Sequence, residues 1–346
     1  MAQLTSLLNI GAEIGRGHFG VVHEGHDPVH GKVAVKIIHR DPAKPPEAWR
    51  DRMVGMLKEA QNLKKASHRN VVPVYHLCAT DDGEAMLYVM AFCDGGSLHR
   101  AFEQGPIDLV RVRSIATDAT TGLEALHARA MIHRDIKPAN LLIDAKGCIK
   151  LADFGLVTDQ LVLGYAAAAG YRDHLAPEVI AGKNTSARSD IWALGVTFYR
   201  LLHGGTWYQQ MPAPRDSVPD GGFANTLNWL PHVPKDWRRF IRQMLRDEPH
   251  DRYQTASEVM NALSGLTVQP NWSCVVVTDK ISWKREKAGR RILVEWDLAD
   301  PKRTQWRAWS EPLAPGGRNR ILGGNPTALT KRNANAELRK FFESQS

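Results

Sequence analysis

The sequence predicts an α+β chain of two lobes with a small β-rich appendage. Three observations predict it: a strand-rich opening of about 90 residues, a mainly helical stretch from about Ser97, and a shift of composition after Leu263. A length of 346 residues fits two or three units at ~100–200 residues each. Hydrophobic residues at 43% and charged residues at 24% exclude wholesale disorder. The longest mostly apolar stretch, Ile191 to Leu202, is broken by Arg200 and falls short of the ~20 residues a membrane span needs. No basic segment precedes an apolar run at the N-terminus, so the expectation is a soluble, cytoplasmic chain with no membrane partner. Cys78, Cys93, Cys148 and Cys274 are scattered, as suits reduced thiols better than disulfides or zinc ligands.

Taken in order, Leu8 to Ile14 and Val33 to Ile38 are short apolar runs, punctuated by glycines and the turn Asp27-Pro28. Asp41 to Pro46 is a proline-rich loop. Trp49, Met53, Met56, Leu57, Ala60 and Leu63 then recur with helical spacing. Val71 to Leu77 and Met86 to Phe92 predict two more strands. Leu123 to Leu126 and Ile191 to Leu202 are the clearest buried helices of the second lobe, and a ligand cleft belongs between the lobes.

Gly15-Arg16-Gly17-His18-Phe19-Gly20-Val21-Val22 is a glycine-rich loop in which bare backbone approaches an anion closely; a plain hairpin turn fits the same residues. A dinucleotide fold would follow it with a helix, whereas Val21 to His23 continues as strand. Val33-Ala34-Val35-Lys36 sets a lysine in an apolar strand, where burial is costly without a partner. Glu59, on the predicted helix, is the natural partner; a solvated lysine on an edge strand is the alternative. The sharpest signal is His133-Arg134-Asp135-Ile136-Lys137-Pro138-Ala139-Asn140, whose His-Arg-Asp and Asn arise together by chance in about two chains per thousand. It offers a carboxylate, an amine and an amide in one tight loop. Asp153-Phe154-Gly155 follows beyond a hairpin, so Asn140 and Asp153 present oxygen ligands to one hard cation, as magnesium prefers. Ala176-Pro177-Glu178 closes the series.

In this order the motifs resemble those of the eukaryotic-type Ser/Thr protein kinase family, over about residues 8–264. The resemblance implies a bilobal protein kinase fold, with an N-lobe of about 8–92 and a C-lobe of about 93–264. It implies ATP and Mg2+ as cofactors and a Ser/Thr-bearing protein as substrate. Gly15, Gly17 and Gly20 would cover the phosphates, Val22 and Ala34 would pack on adenine, and Met90 would stand as gatekeeper. The backbone of Ala91 and Cys93 would bond the adenine, Lys36 would neutralise the α- and β-phosphates, and Glu59 would hold Lys36. Asp135 would orient the acceptor hydroxyl, with Lys137 on the γ-phosphate and Asn140 and Asp153 on magnesium. A carboxylate near its ordinary pKa suffices for such a base, because phosphoryl transfer is mostly positioning and charge stabilisation. Asp190 would tether the catalytic loop, and Arg252 would pair with Glu178.

Several positions depart from the family pattern. Ala166-Ala167-Ala168-Ala169 stands where a phosphorylated Ser or Thr is usual, either because the loop needs none or because an engineered sequence has replaced it. Tyr171 takes the place of a usual Thr, and His174 that of a usual aromatic beside the substrate pocket. A pseudokinase-like nucleotide-binding scaffold is the rival reading.

Residues 265–346 carry 15 Lys+Arg against 8 Asp+Glu and hold five of the ten tryptophans. Ile292, Val294, Trp296 and Leu298 alternate as a strand, with further strands at Cys274 to Val277, Ile281 to Arg285 and Gln305 to Trp309 and a turn at Lys287-Ala288-Gly289. Pro312 to Pro326 reads as a Gly/Pro-rich linker, and Ala334, Leu338, Phe341 and Phe342 share one face of a short helix. The expectation is a docking or regulatory module; a tryptophan core under a solvated charged face and, least favoured, a nucleic-acid surface compete with it.

Overall fold

The computed structural model describes residues 8–17, 20–43, 45–65, 67–153, 173–211, 218, 220–300 and 302–345, the side chains of 58–65 excepted. Strands β1 (Asn9–Gly17), β2 (Gly20–Asp27) and β3 (Gly31–His39) are followed by helix α1 (Pro46–Lys65) and by β4 (Val74–Ala79) and β5 (Ala85–Ala91). They form one antiparallel sheet in the order β1-β2-β3-β5-β4, with β3 at its centre. Alternation along β3 feeds two apolar layers. Val33 and Val35 pack with Leu87 and Val89, while Ala34 and Ile38 pack with Met86, Met90 and the α1 residues Trp49 and Met56. Burial on both faces is why this strand reads as an unbroken apolar run. Leu57, placed on the apolar stripe of α1 by its spacing, is instead 45% exposed.

The second lobe is built on α2 (Leu98–Gln104), α3 (Leu109–His127), the hairpin β6 (Leu141–Ile143) and β7 (Ile149–Leu151), α4 (Pro177–Ile180), α5 (Ala187–Tyr208), α6 (Phe223–Thr226), α7 (Lys235–Met244) and α8 (Ala256–Ser264). Asp108 caps α3 by accepting the Arg111 N–H at 3.0 Å. Val112, Ile115, Ala116, Ala119, Leu123 and Leu126 then keep a 3–4 spacing and are all buried. A capping box between Ser186 and Ser189 starts α5, which is buried almost all round and so reads as a continuous apolar helix. It kinks at Gly204, where φ is +70° and a Cβ would lie 2.4 Å from the Gly105 backbone, so only glycine fits. Val71, assigned to the fourth strand by its apolar neighbours, stands before β4 and forms an isolated parallel bridge with Leu151 of β7.

Strands β8 (Ser273–Val277), β9 (Lys280–Lys287), β10 (Arg290–Asp297), β11 (Gln305–Pro312) and β12 (Arg320–Gly324) make a second antiparallel meander, closed by helix α9 (Lys331–Glu343). Ala288 and Gly289 both take positive φ between β9 and β10, the demand of a tight hairpin. The predicted linker is corrected here: β12 lies inside it and pairs with β11, too short and glycine-rich to show an alternation of its own. Trp283, Trp296 and Trp306 point inward, and α9 lays Ala334, Leu338, Phe341 and Phe342 against them. This core is continuous with that of the helical lobe. At the seam the Trp283 indole donates to His232 Nδ1 at 2.9 Å, and Trp237 of α7 donates to the Thr267 carbonyl at 2.7 Å. No helix among the described residues is long and apolar enough to cross a membrane.

Candidate active site

The glycine-rich segment is the β1–β2 hairpin, with Gly17 paired to Gly20 and Gly15 to Val22. Its glycines divide by physical need. A Cβ on Gly20 would lie 2.2 Å from the Ile37 carbonyl, so that glycine serves the packing of β2 on β3. A Cβ on Gly15 would meet nothing within 4 Å, and one on Gly17 would only graze the Gly20 carbonyl at 3.9 Å. Nothing in the packing of the described residues requires these two to be bare. Behind the hairpin, Ala34, Met90 and Cys93 share one apolar cluster with Val22, Ala91 and Leu142. Leu142, two residues after Asn140 on β6, was missed in the sequence; only its place between two polar motifs marks it. Burial pushes the Cys93 thiol up to about 11, so it stays protonated. The Ala91 N–H donates to the Pro73 carbonyl at 3.0 Å, and the Cys93 carbonyl accepts the Gly96 N–H at 3.1 Å.

Lys36 is 3% exposed, and its ammonium meets the Asp153 carboxylate at 3.0 Å. The buried lysine is therefore paired, which rules out the edge-strand alternative. The side chain of Glu59 lies outside the described residues, as do Phe154, Gly155, Ala166 to Ala169 and Tyr171.

Asp135 sits where three side-chain nitrogens converge. Lys137 Nζ approaches its Oδ2 at 2.8 Å, Asn140 Nδ2 donates to the same oxygen at 2.7 Å, and His174 Nε2 meets Oδ1 at 2.9 Å. Burial by itself would raise the Asp135 pKa, but the His174 imidazole 2.9 Å from Oδ1 and the Lys137 charge overcome it and hold the carboxyl far below the usual carboxylate range. This corrects the expectation of an ordinary pKa. It also gives His174, 3% exposed, a function that the sequence did not show: it touches the carboxylate itself. The resemblance places position 174 beside the substrate pocket, but no local spacing links it to residue 135, so the contact itself had no sequence signal.

Asp190, at the start of α5, fixes the loop from below. Its Oδ2 accepts the His133 N–H and its Oδ1 the Arg134 N–H, each at 2.8 Å, while His127 Nε2 meets Oδ2 at 2.9 Å. Arg134 takes φ +71°, which aims both backbone donors at one carboxylate. From Asp135 a short relay reaches Lys36: Asn140 bonds the carboxylate, its own carbonyl accepts the Ala152 N–H at 2.9 Å, and the next residue, Asp153, holds the lysine. The tether of the closing motif is likewise observed. Arg252 grips both oxygens of Glu178 at 2.8 and 2.7 Å, both residues being buried.

The donor set around Asn140 and Asp153 suits a hard cation. Asn140 spends its amide nitrogen on Asp135, leaving Oδ1, and Asp153 supplies a carboxylate that is 30% exposed. No group of three His, Cys, Asp or Glu fit to hold a metal occurs among the described residues. Two oxygen ligands match a magnesium ion that keeps its waters and takes phosphate oxygens, not a zinc or calcium cage.

The protein kinase domain family model matches residues 8–263. The serine/threonine-protein kinase PknB of Mycobacterium leprae is 30% identical over 298 residues, covering 80% of this chain and 46% of the relative. PknB of Mycobacterium tuberculosis is 30% identical over 277 residues, covering 75% and 42%. The hormonally up-regulated neu tumor-associated kinase homolog A of Xenopus laevis is 31% identical over 272 residues, covering 76% and 38%. The chain thus spans less than half the length of these curated relatives. Since the matched stretch contains the hairpin, the buried lysine and the Asp135 loop together, the chain belongs to the protein kinase family.

Proposed function

We propose that this chain is a serine/threonine protein kinase that transfers the γ-phosphate of ATP to a protein hydroxyl with the help of Mg2+. The observation that supports the reading is the relay joining Lys36 of β3, Asp153 after β7, and Asn140 and Asp135 of the intervening loop, through two side-chain contacts and one backbone hydrogen bond. The names of the relatives at about 30% identity point the same way.

In this reading Gly15 and Gly17 let the hairpin backbone close on the triphosphate, while Val22, Ala34, Met90 and Leu142 enclose the adenine. Because the Ala91 N–H and the Cys93 carbonyl are taken within the protein, the adenine pairs with the Ala91 carbonyl and the Cys93 N–H. Lys36 leaves part of its pairing with Asp153 to face the α- and β-phosphates. Asn140 Oδ1 and Asp153 would hold magnesium, which supplies charge neutralisation at the phosphates when bound. Lys137, already beside Asp135, lies one carboxylate away from the transferring group. The acceptor oxygen bonds to Pγ as the bond from Pγ to the β–γ bridging oxygen breaks, and Asp135 takes the hydroxyl proton. A carboxylate held this acidic is a weak base, so Asp135 acts chiefly by orienting the hydroxyl, with proton transfer late.

The test uses γ-labelled ATP, a Ser/Thr-containing protein acceptor and the variant Asp135→Asn. Asp135→Asn is expected to lower kcat by about 10²–10⁴-fold, the usual weight of a positioned acid–base group, while nucleotide affinity measured by calorimetry stays within a few-fold. Unchanged phosphate incorporation in the variant would overturn the assignment and return the scaffold reading. The run Ala166 to Ala169 fits a kinase whose turnover needs no phosphorylated Ser or Thr at those positions, and mapping phosphosites on the active protein checks it.

A further inference from the structure

Helix α9 has a second face that the packing of the appendage does not use. Lys331, Asn335 and Arg339 follow one another at helical i, i+4 spacing, and with Arg332, Ala336 and the lobe residue Asn228 they line a cavity of about 440 Å³. Lys331 is steered by the lobe, lying over the Trp207 ring at 5.4 Å and donating to Gln210 Oε1 at 3.2 Å. No ion pair joins Lys331, Arg332 or Arg339 to a carboxylate among the described residues, and Glu343 acts on Arg339 only through its nearby charge. Arg238 and Arg242 of α7 add two more guanidinium groups beside Arg339, against one nearby carboxylate, Glu343, which meets Arg238 at 3.5 Å. The Nε–H groups of Arg238 and Arg339 are buried without an acceptor among the described residues.

This arrangement breaks three physical rules together. Five like charges are gathered against one nearby carboxylate, Glu343, among the described residues. Burial, then the neighbouring Arg242 charge, lowers the Arg339 pKa, and burial lowers that of Lys331, so holding these charges costs free energy. Lys331 and Arg332 also occupy the first turn of α9, which has no acidic residue there, so the helix dipole opposes them. Such costs are relieved at once by an anion in the cavity.

From this juxtaposition we propose that the groove between α9 and the helical lobe binds a phosphorylated, acidic peptide segment. Eight helical steps separate Lys331 from Arg339, about 12 Å of groove at 1.5 Å per step. A lone phosphate reaches only one end of it, so the ligand is extended and carries more than one negative group. Asn228 and Asn335 offer side-chain amides, which match the paired donors and acceptors of a peptide backbone. A nucleic acid would want an open aromatic to stack on, whereas Trp207 and Trp229 behind the cavity are each 1% exposed.

The experiment uses the full chain without nucleotide, so its outcome is independent of turnover. Fluorescence anisotropy follows a short, glutamate-flanked phosphoserine peptide, its unphosphorylated twin and a single-stranded oligonucleotide, with inorganic phosphate as competitor. The phosphopeptide is expected to bind about tenfold or more tightly than its twin, and Arg339→Gln and Arg332→Gln are each expected to weaken it about tenfold, the loss of one charge-assisted hydrogen bond. Arg332 is exposed, so its variant folds even if that of Arg339 does not. Inorganic phosphate is expected to compete only at far higher concentration. Equal binding of both peptides, no binding, or indifference to Arg332→Gln overturns the proposal; tighter oligonucleotide binding with the same residue dependence replaces it with a nucleic-acid site.

Discussion

At the scale of single residues, His174 shows how one substitution within a familiar pattern redistributes a site. Its Nε2 lies 2.9 Å from Asp135 Oδ1, while Lys137 and Asn140 share Oδ2, so each carboxylate oxygen is held from a different side. In the reading proposed above, His174 is a positioning residue, and its contact with Oδ1 sets both the direction and the acidity of the carboxylate. His174→Phe, which restores an aromatic but removes the donor, is expected to lower kcat about tenfold with KM for ATP unchanged; His174→Gln, which keeps an N–H, is expected to recover most of that loss. The pH profile adds a readout that a packing role would not move. Removing a group that depresses the Asp135 pKa lets that pKa rise, so activity in His174→Phe is lost at a higher pH on acidification than in the parent. Steady-state kinetics across pH check both parts, and an unshifted acid limb sinks the idea.

The elements differ in how openly the sequence declares them. The central strand β3 and the helices α3 and α5 are legible because their burial is periodic or total, so the apolar pattern reports it directly. The residues of the Asp135 loop are legible as a motif, yet the bonds that fix the loop join it to Asp190 and His174, distant positions to which no periodicity points. Leu57 and Val71 were misplaced because hydrophobicity marks a candidate for burial, not the direction of a side chain or the start of a ladder. The α4 motif also owes its fixed position to a distant partner. Arg252 donates to both oxygens of Glu178 and also to the carbonyls of Arg246, Asp247 and Arg188, with its guanidinium 4.9 Å from the centre of the Trp192 ring. Glu178→Gln leaves that guanidinium buried with no charge opposite it, and a loss of about 3–5 kcal/mol is expected. Adding Arg252→Met should restore part of the loss, because the stranded charge goes with it. Urea melts of the two variants measure this, and equal stability of Glu178→Gln and the parent would contradict the buried-pair account.

For the whole molecule, the decisive feature is the seam between the helical lobe and the second sheet. The tryptophans that distinguish residues 265–346 in the sequence serve mainly as core, and their partners lie in the preceding lobe, which composition alone does not reveal. His232 sits in this seam, fully enclosed, accepting the Trp283 indole N–H on Nδ1 and lying edge-on to Phe342. Burial pulls its pKa down to about 3, and burial does the same to His203, which contacts the Tyr199 carbonyl in α5. Both imidazoles are therefore neutral in the folded chain, whereas in the unfolded chain they titrate near ~6.5. Between these values the unfolded state binds more protons, so stability falls as pH drops below about 6.5 and continues to fall toward about 3. At pH 5 each histidine accounts for a loss of about 2 kcal/mol relative to neutral pH, at ~1.4 kcal/mol per pH unit. His232→Gln, which offers the indole an uncharged acceptor, is expected to remove about half of the pH dependence contributed by this pair while keeping the seam closed. Denaturant melts at several pH values between 5 and 7.5 test this: the slope of stability against pH must flatten in the variant. A slope as steep as in the parent would mean that His232 is not held neutral, and that the second sheet is joined to the kinase lobe less tightly than its continuous core requires.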